Sequence, residues 1–182
     1  MSRIASISPP GGAPGPGFEE PFEMLHACHE RVERMLALLA KLRTHLRNHG
    51  ADDQARQAAR DVMRYFDHAA PQHHRDEELH VFPALIGLGD GDLAQLVARL
   101  QGEHQQMELR WASARSALDA VESGSRPQLD AADEIALDAF AALYVGHIRA
   151  EEEVAYPNAA NAMDRARVEL MSRDMMARRG VR

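Results

Sequence analysis

The chain predicts an all-α fold: an antiparallel up-down-up-down four-helix bundle with a short additional C-terminal helix. Three observations carry this. Apolar residues recur at helical spacing over four long stretches, and the breaks between them are short and rich in Gly, Pro and polar residues. Aromatic residues make up only 5% of the chain, while Ala, Leu, Arg, Glu and Gln dominate. Short connections force successive helices to run antiparallel. With 182 residues and 45% hydrophobic content, the chain suits one domain with a proper core.

Residues 1–19 carry Pro9, Pro10, Pro14 and Pro16 among several glycines and lack apolar periodicity, so they are expected to form a disordered tail, leaving 20–182 as the domain. Helix 1 is expected from about Pro21 to Asn48, with Leu25, Cys28, Val32, Met35, Leu36 and Leu39 on one stripe, closed by Gly50. Helix 2 spans roughly Asp53 to Leu85, with Val62, Phe66, His73, Glu77, Val81 and Leu85 on one face. Pro71 interrupts its hydrogen-bond ladder and predicts a kink or restart.

After a glycine-rich turn over Gly87 to Asp92, Leu93, Leu96, Val97, Leu100, His104, Met107, Trp111 and Leu118 mark helix 3, to about Val121. Helix 4 runs from about Asp130 to Tyr156, with Ile135, Phe140, Leu143, Tyr144, His147, Glu151 and Val154 on its apolar side. A last helix, about Asp164 to Arg179, shows Val168, Met171 and Met175 on one face and Gly180 as C-terminal cap, and is expected on the outside of the bundle.

The formal charge of −7 argues against nucleic acid or an anionic membrane as partner. A single cysteine makes no internal disulfide, and the chain shows neither an apolar signal core nor an apolar run long enough to span a bilayer. A soluble, cytoplasmic protein is expected. Ten histidines against three tyrosines and one tryptophan is an unusual balance, and several of them are expected to be metal ligands.

The chain also repeats itself. His73-x3-Glu77-Glu78-x4-Pro83 recurs 74 residues later as His147-x3-Glu151-Glu152-x4-Pro157, with Phe82 or Tyr156 before each proline. Cys28-His29-Glu30-x-Val32 and Glu103-His104-Gln105-x-Met107 stand 75 residues apart. His and Glu four residues apart lie one above the other on a helix face, so each half offers one lone His and one His-x3-Glu pair.

Which of these point inward follows from the apolar stripes. An ionisable group on a core stripe is costly unless paired or metal-bound. His29 falls between Leu25 and Val32, His104 between Leu100 and Met107, and His147 and Glu151 between Leu143 and Val154. On helix 2 two pairs overlap, His73 with Glu77 and His74 with Glu78. The repeat selects the first, since His147 aligns with His73 whereas Ile148 aligns with His74. The inward set is therefore His29, His73, Glu77, His104, His147 and Glu151, with Glu108 one turn beyond His104 as a seventh. His26, His45, His49 and His68 fall off the stripes and are read as surface residues; Cys28, Trp111 and Tyr144 are read as packing. The competing reading of the His-x3-Glu pairs is two exposed ion pairs, which need not lie on apolar stripes as these do. Four imidazoles and two or three carboxylates exceed one zinc site, and their mixture of nitrogen and oxygen suits iron or manganese, most naturally as a two-metal cluster.

On these positions the chain resembles the hemerythrin-like family, the HHE cation-binding domains, over about residues 20–160. The phrases His73-His-Arg-Asp-Glu77-Glu78-Leu-His-Val-Phe-Pro83 and His147-Ile-Arg-Ala-Glu151-Glu152 carry the likeness. The resemblance implies a non-haem di-iron centre, its two irons joined by an oxo or hydroxo bridge, with His29, His73, His104 and His147 as terminal ligands. It makes Glu77 and Glu151 the bridging candidates and implies an exchangeable position for O2, NO or peroxide. Oxygen-carrying members resemble His-x3-His on helix 3, whereas this chain has His104-x3-Glu108. A carboxylate there adds negative charge, which stabilises the ferric state and disfavours reversible O2 carriage. The expected function is binding or sensing of O2, NO or a related small oxidant. The alternatives are a di-iron redox enzyme of peroxidase, oxidase or ferroxidase type, motivated by Glu108, and a metal-free helical interaction module. No catalytic residue is assigned.

Overall fold

The computed structural model describes residues 17–181, and the tail expected over 1–19 lies, apart from its last three residues, outside them. Helix α1 covers Pro21–His49. The second long helix, α2, fills residues 53–86 in five continuous pieces: α-helical Asp53–Arg64, Ala70–Asp76 and Phe82–Ile86, separated by π-helical turns at Tyr65–Ala69 and Glu77–Val81. Helix α3 covers Gly91–Glu122. Helix α4 fills residues 131–162, with a π turn at Glu151–Ala155 between Ala131–Ala150 and Tyr156–Ala162. The last helix, α5, covers Arg165–Arg178. No strand occurs among the described residues.

Aspartates start four of these helices. Asp52, Asp90, Asp130 and Asp164 each accept hydrogen bonds from first-turn backbone N–H groups that have no partner within the helix, and Asp130 does so in a reciprocal box with Asp133. Gly50 ends α1 at φ +73°, a conformation that strains a side-chain-bearing residue. Gly180 follows α5 at φ +67°, the place expected for it.

Consecutive long helices pack on one another, and Arg43 on α1 reaches Glu134 and Asp138 on α4, closing the four-helix ring. Two apolar clusters fill the interior. One contains Val32, Leu39, Leu42, Val62, Phe66, Met107, Leu118 and Phe140; the other contains Leu25, Val81, Leu85, Val97, Leu100 and Tyr156. His29 and His104 fall at the level between them. The layer of polar side chains is thus sealed above and below by apolar packing.

Helix α5 packs against the four-helix ring through Met171 and Met175, fully buried in the second cluster, and Arg178 and Arg179 both bind the buried Asp76 carboxylate. Two expectations change. Ile135 and Val154 sit on the solvent side of α4, 68% and 38% exposed, because the buried line of that helix runs through Leu137, Phe140, Tyr144 and His147. His45 is buried rather than on the surface, its Nε2 donating to the Asp52 cap at 2.9 Å, which ties the end of α1 to the start of α2. No helix among the described residues is long and apolar enough to cross a membrane.

Candidate metal centre

Each of the three π turns ends two residues before a proline, with Ala70, Phe82 or Tyr156 between the turn and Pro71, Pro83 or Pro157. A proline inside an α-helix has no N–H to give and collides with the carbonyl four residues back. Widening the turn by one residue relieves that collision, and the N–H groups of Ala70, Phe82 and Tyr156 reach back five residues to Tyr65, Glu77 and Glu151. The kink expected at Pro71 is therefore a bulge, and α4 passes Pro157 and continues to Ala162. The bulges also shape the site. Five residues on from Glu77 and Glu151, a side chain in an unbroken α-helix points well away from that face; the wider turn brings Phe82 and Tyr156 back over it.

Glu77 and Glu151 lie at the centre, both fully buried. Around them stand two nests. In the first, His29 Nε2 is 3.1 Å from Glu151 Oε2 and 4.0 Å from Glu77 Oε1, and His73 Nε2 is 3.4 Å from Glu77 Oε1. In the second, His104 Nε2 is 3.4 Å from Glu77 Oε2 and 3.7 Å from Glu151 Oε1, and His147 Nε2 is 3.1 Å from Glu151 Oε1. Each carboxylate thus turns one oxygen to each nest. His74 joins the second nest: donor atoms of His74, His104 and His147 lie within 4.8 Å of one another, as do those of His29, His73, Glu77 and Glu151.

The outward nitrogens are held separately. Carboxylates only accept, so His29 Nδ1 donates to Glu152 (3.0 Å), His104 Nδ1 to Glu78 (3.1 Å) and His147 Nδ1 to Glu103 (2.8 Å). With the proton on Nδ1, each Nε2 presents a lone pair to the centre. Acidic partners on the far nitrogen of an imidazole are the usual support of a metal-binding histidine.

The centre is built for a cation. Glu77 Oε2, both oxygens of Glu151 and His73 Nδ1 are buried without a hydrogen-bond partner. Buried polar atoms are ordinarily satisfied, and unpaired charges in an apolar interior cost several kcal/mol each, roughly. The imidazoles approach these oxygens closely but are not aligned to donate to them. His104 Nε2 and His147 Nε2 face each other at 3.2 Å, so a proton or a metal ion can sit between them.

Protonation follows the same logic. Burial pushes His73 and His74 well below the ordinary imidazole value, and the neighbouring His29 and His104 push the same way, so both are neutral and free to coordinate. Burial lowers His147 too, but Glu151 and Glu103 outweigh it and hold it raised. Burial and then the charge of Glu151 push Glu77 well up. Burial would raise Glu151 as well, but His104, His147 and His29 overcome it and hold it well below the usual carboxylate range. Two carboxylates this close titrate as a pair, one ionised and one resisting ionisation.

Of the seven residues singled out in the sequence, His29, His73, Glu77, His104, His147 and Glu151 come together. Glu108 does not. The buried line of α3 advances from His104 through Met107, which leaves Glu108 exposed on the wall of a cavity of about 230 Å³. The cavity opens beside His74 and His104 and has Phe66, Trp111, Phe140 and Tyr144 in its walls. His74, set aside by the repeat, is in the second nest: adjacent residues of a helix point about 100° apart, so His73 and His74 straddle the central carboxylates. His80 is directed away, to Asp174 at 2.7 Å. Sequence reasoning also missed the role of Glu78, Glu103 and Glu152. The doubled glutamate in both motifs was the available signal.

A helical bundle with two imidazole nests around shared buried carboxylates defines a cation-binding protein. Residues 20–159 match the family model described as the hemerythrin HHE cation binding domain, and the chain belongs to that family. It is also 31% identical over 135 residues, 74% of this chain and 76% of the relative, to an uncharacterized protein of Haemophilus influenzae.

Proposed function

We propose that the protein holds two iron ions, one in each nest, and uses them to bind or sense O2, NO or a related small oxidant. One observation carries the reading: Glu77 and Glu151 each split their oxygens between the two nests, as bridges between two ions do, and three of those four oxygens have no hydrogen-bond partner. Nitrogen and carboxylate donors in this mixture suit iron or manganese above zinc or calcium. Two irons held there supply an exchangeable position for the small ligand and the redox capacity to respond to it.

The chain's own residues do the rest. Glu78, Glu103 and Glu152 orient the imidazoles and raise their basicity. His29, His73 and Tyr156 are buried, Tyr156 within the second apolar cluster, while the cavity beside His74 and His104 makes the second nest the accessible one. Its aromatic walls favour an uncharged ligand over a hydrated ion.

A second reading rests on the same cavity. At about 230 Å³ it is larger than a diatomic molecule needs, and Glu108 on its wall can exchange a proton with solvent, which suits turnover of peroxide by a redox enzyme. Loading with iron and adding O2, NO or peroxide separates the readings. A reversible spectral change without turnover supports the binding protein; repeated turnover that Glu108→Gln abolishes supports the enzyme. A protein that takes up no metal, with a melting temperature indifferent to chelators, overturns both in favour of a metal-free helical module.

A further inference from the structure

The two nests are capped by different aromatics. Phe82 lies over His104 with ring centroids 5.6 Å apart, and at the repeat-equivalent place Tyr156 stacks on His29 at 5.3 Å and 8°. The atom that distinguishes them is a hydroxyl, and it is aimed inward. Tyr156 Oη donates to Glu77 Oε1 at 2.5 Å and stands 3.2 Å from His29 Nε2, in a side chain 1% exposed. Neighbouring donors on an octahedral ion with bonds of about 2.1 Å are about 3.0 Å apart. The phenol oxygen is therefore spaced from an imidazole nitrogen and a carboxylate oxygen as a third donor to the same ion would be.

We propose that Tyr156 is itself a ligand, binding as phenolate to the ion in the His29 nest. The proposal rests on the two-iron reading above. The donor sets make the two nests comparable in number and different in kind. His74, His104, His147, Glu77 Oε2 and Glu151 Oε1 surround one ion, and His29, His73, Glu77 Oε1, Glu151 Oε2 and Tyr156 Oη the other. On binding, the phenol O–H breaks, the proton leaves to solvent, and the oxygen lone pair goes to the ion; no electron is transferred. A phenolate is a harder, negatively charged donor than imidazole, so the His29 ion is the one held ferric while the His74 side exchanges ligand.

The test is Tyr156→Phe, which places at 156 the residue that the fold already accommodates at 82, with Tyr144→Phe as control. Both variants and the wild type are loaded with Fe(III), and iron per chain, visible absorption, resonance Raman spectra and protons released on loading are measured. The wild type is expected to show phenolate-to-iron charge transfer with enhanced tyrosine ring modes. Tyr156→Phe is expected to lose both completely and to release one proton fewer, while Tyr144→Phe keeps them. A wild type that holds two irons without phenolate modes, or a Tyr156→Phe protein that retains them, overturns the assignment and leaves the two-iron reading standing. A wild type that takes up no iron overturns that reading and the assignment together.

Discussion

Residues 73–83 and 147–157 bring the same donors to the centre from the same kind of bulged helix, yet their surroundings differ at a few positions. His74 corresponds to Ile148, Phe82 to Tyr156, Asp76 to Ala150, and Glu103, which holds His147, to Cys28. The first pair adds an imidazole to one nest alone. The second adds a buried hydroxyl to the other. The third gives the first copy a carboxylate clamped by Arg178 and Arg179, which the second copy lacks. The fourth leaves His73 Nδ1 without an acceptor while His147 has one. Duplication supplies a scaffold and two matched central carboxylates; the chemistry distinguishing the two nests comes from single side chains where the copies diverge.

The largest effect is expected where the copies share a residue. Glu151→Gln removes the charge from a bridge that serves both nests, so iron should fall from close to two per chain to well below one; elemental analysis showing one tightly held ion would restrict Glu151 to a single nest. Next comes a divergent position. His74→Ile installs in the first copy the residue the second already carries, and is expected to cost the ion of the His104 nest alone, leaving about one iron per chain.

Smaller and matched effects are expected from the acceptors. Glu78→Gln and Glu152→Gln weaken the hold on His104 and His29 respectively, and each should lower metal affinity about 10-fold to 100-fold, measured by competition with a chelator. Very unequal losses would show that the copies differ there too.

The smallest effect is on the metal-free protein. His74 is held well below its ordinary value by burial and by His104, whereas in the unfolded chain it takes a proton near pH 6.5, roughly. Below that pH the unfolded state binds the extra proton, so this residue's contribution to stability is lost as pH falls. His74→Ile removes that loss. The melting temperature of the variant minus that of the wild type should therefore grow as pH drops through about 6.5, and a difference that stays flat with pH would contradict the neutral state of His74.

Much of this arrangement was legible in the sequence because helical periodicity and the repeat report on the same thing. Leu25, His29 and Val32, or Leu100, His104 and Met107, place a polar residue on an apolar stripe, and the repeat offset pairs the two halves. What escaped depends on local departures from the α-helix or on contacts between helices. Tyr156 lies five residues from Glu151, off its face by α-helical spacing, and faces the centre only because the turn before Pro157 is widened. A symmetric repeat leaves out His74, because Ile148 stands at its place in the other copy, yet adjacent histidines can serve opposite sides of one carboxylate pair. Glu108 shares its spacing from His104 with a true i, i+4 pair, but the packing of α3 turns that position to solvent. Glu78, Glu103 and Glu152 looked like ordinary acidic residues of a solvated face, and their imidazole partners sit on other helices.

The sharing of the buried carboxylates Glu77 and Glu151 by two metal ions is tested most directly by elemental analysis of the chain expressed with iron, read with its ultraviolet and visible spectrum. Close to two irons per chain, with oxo-to-iron charge-transfer bands, is the predicted result. No bound transition metal after reconstitution would contradict it.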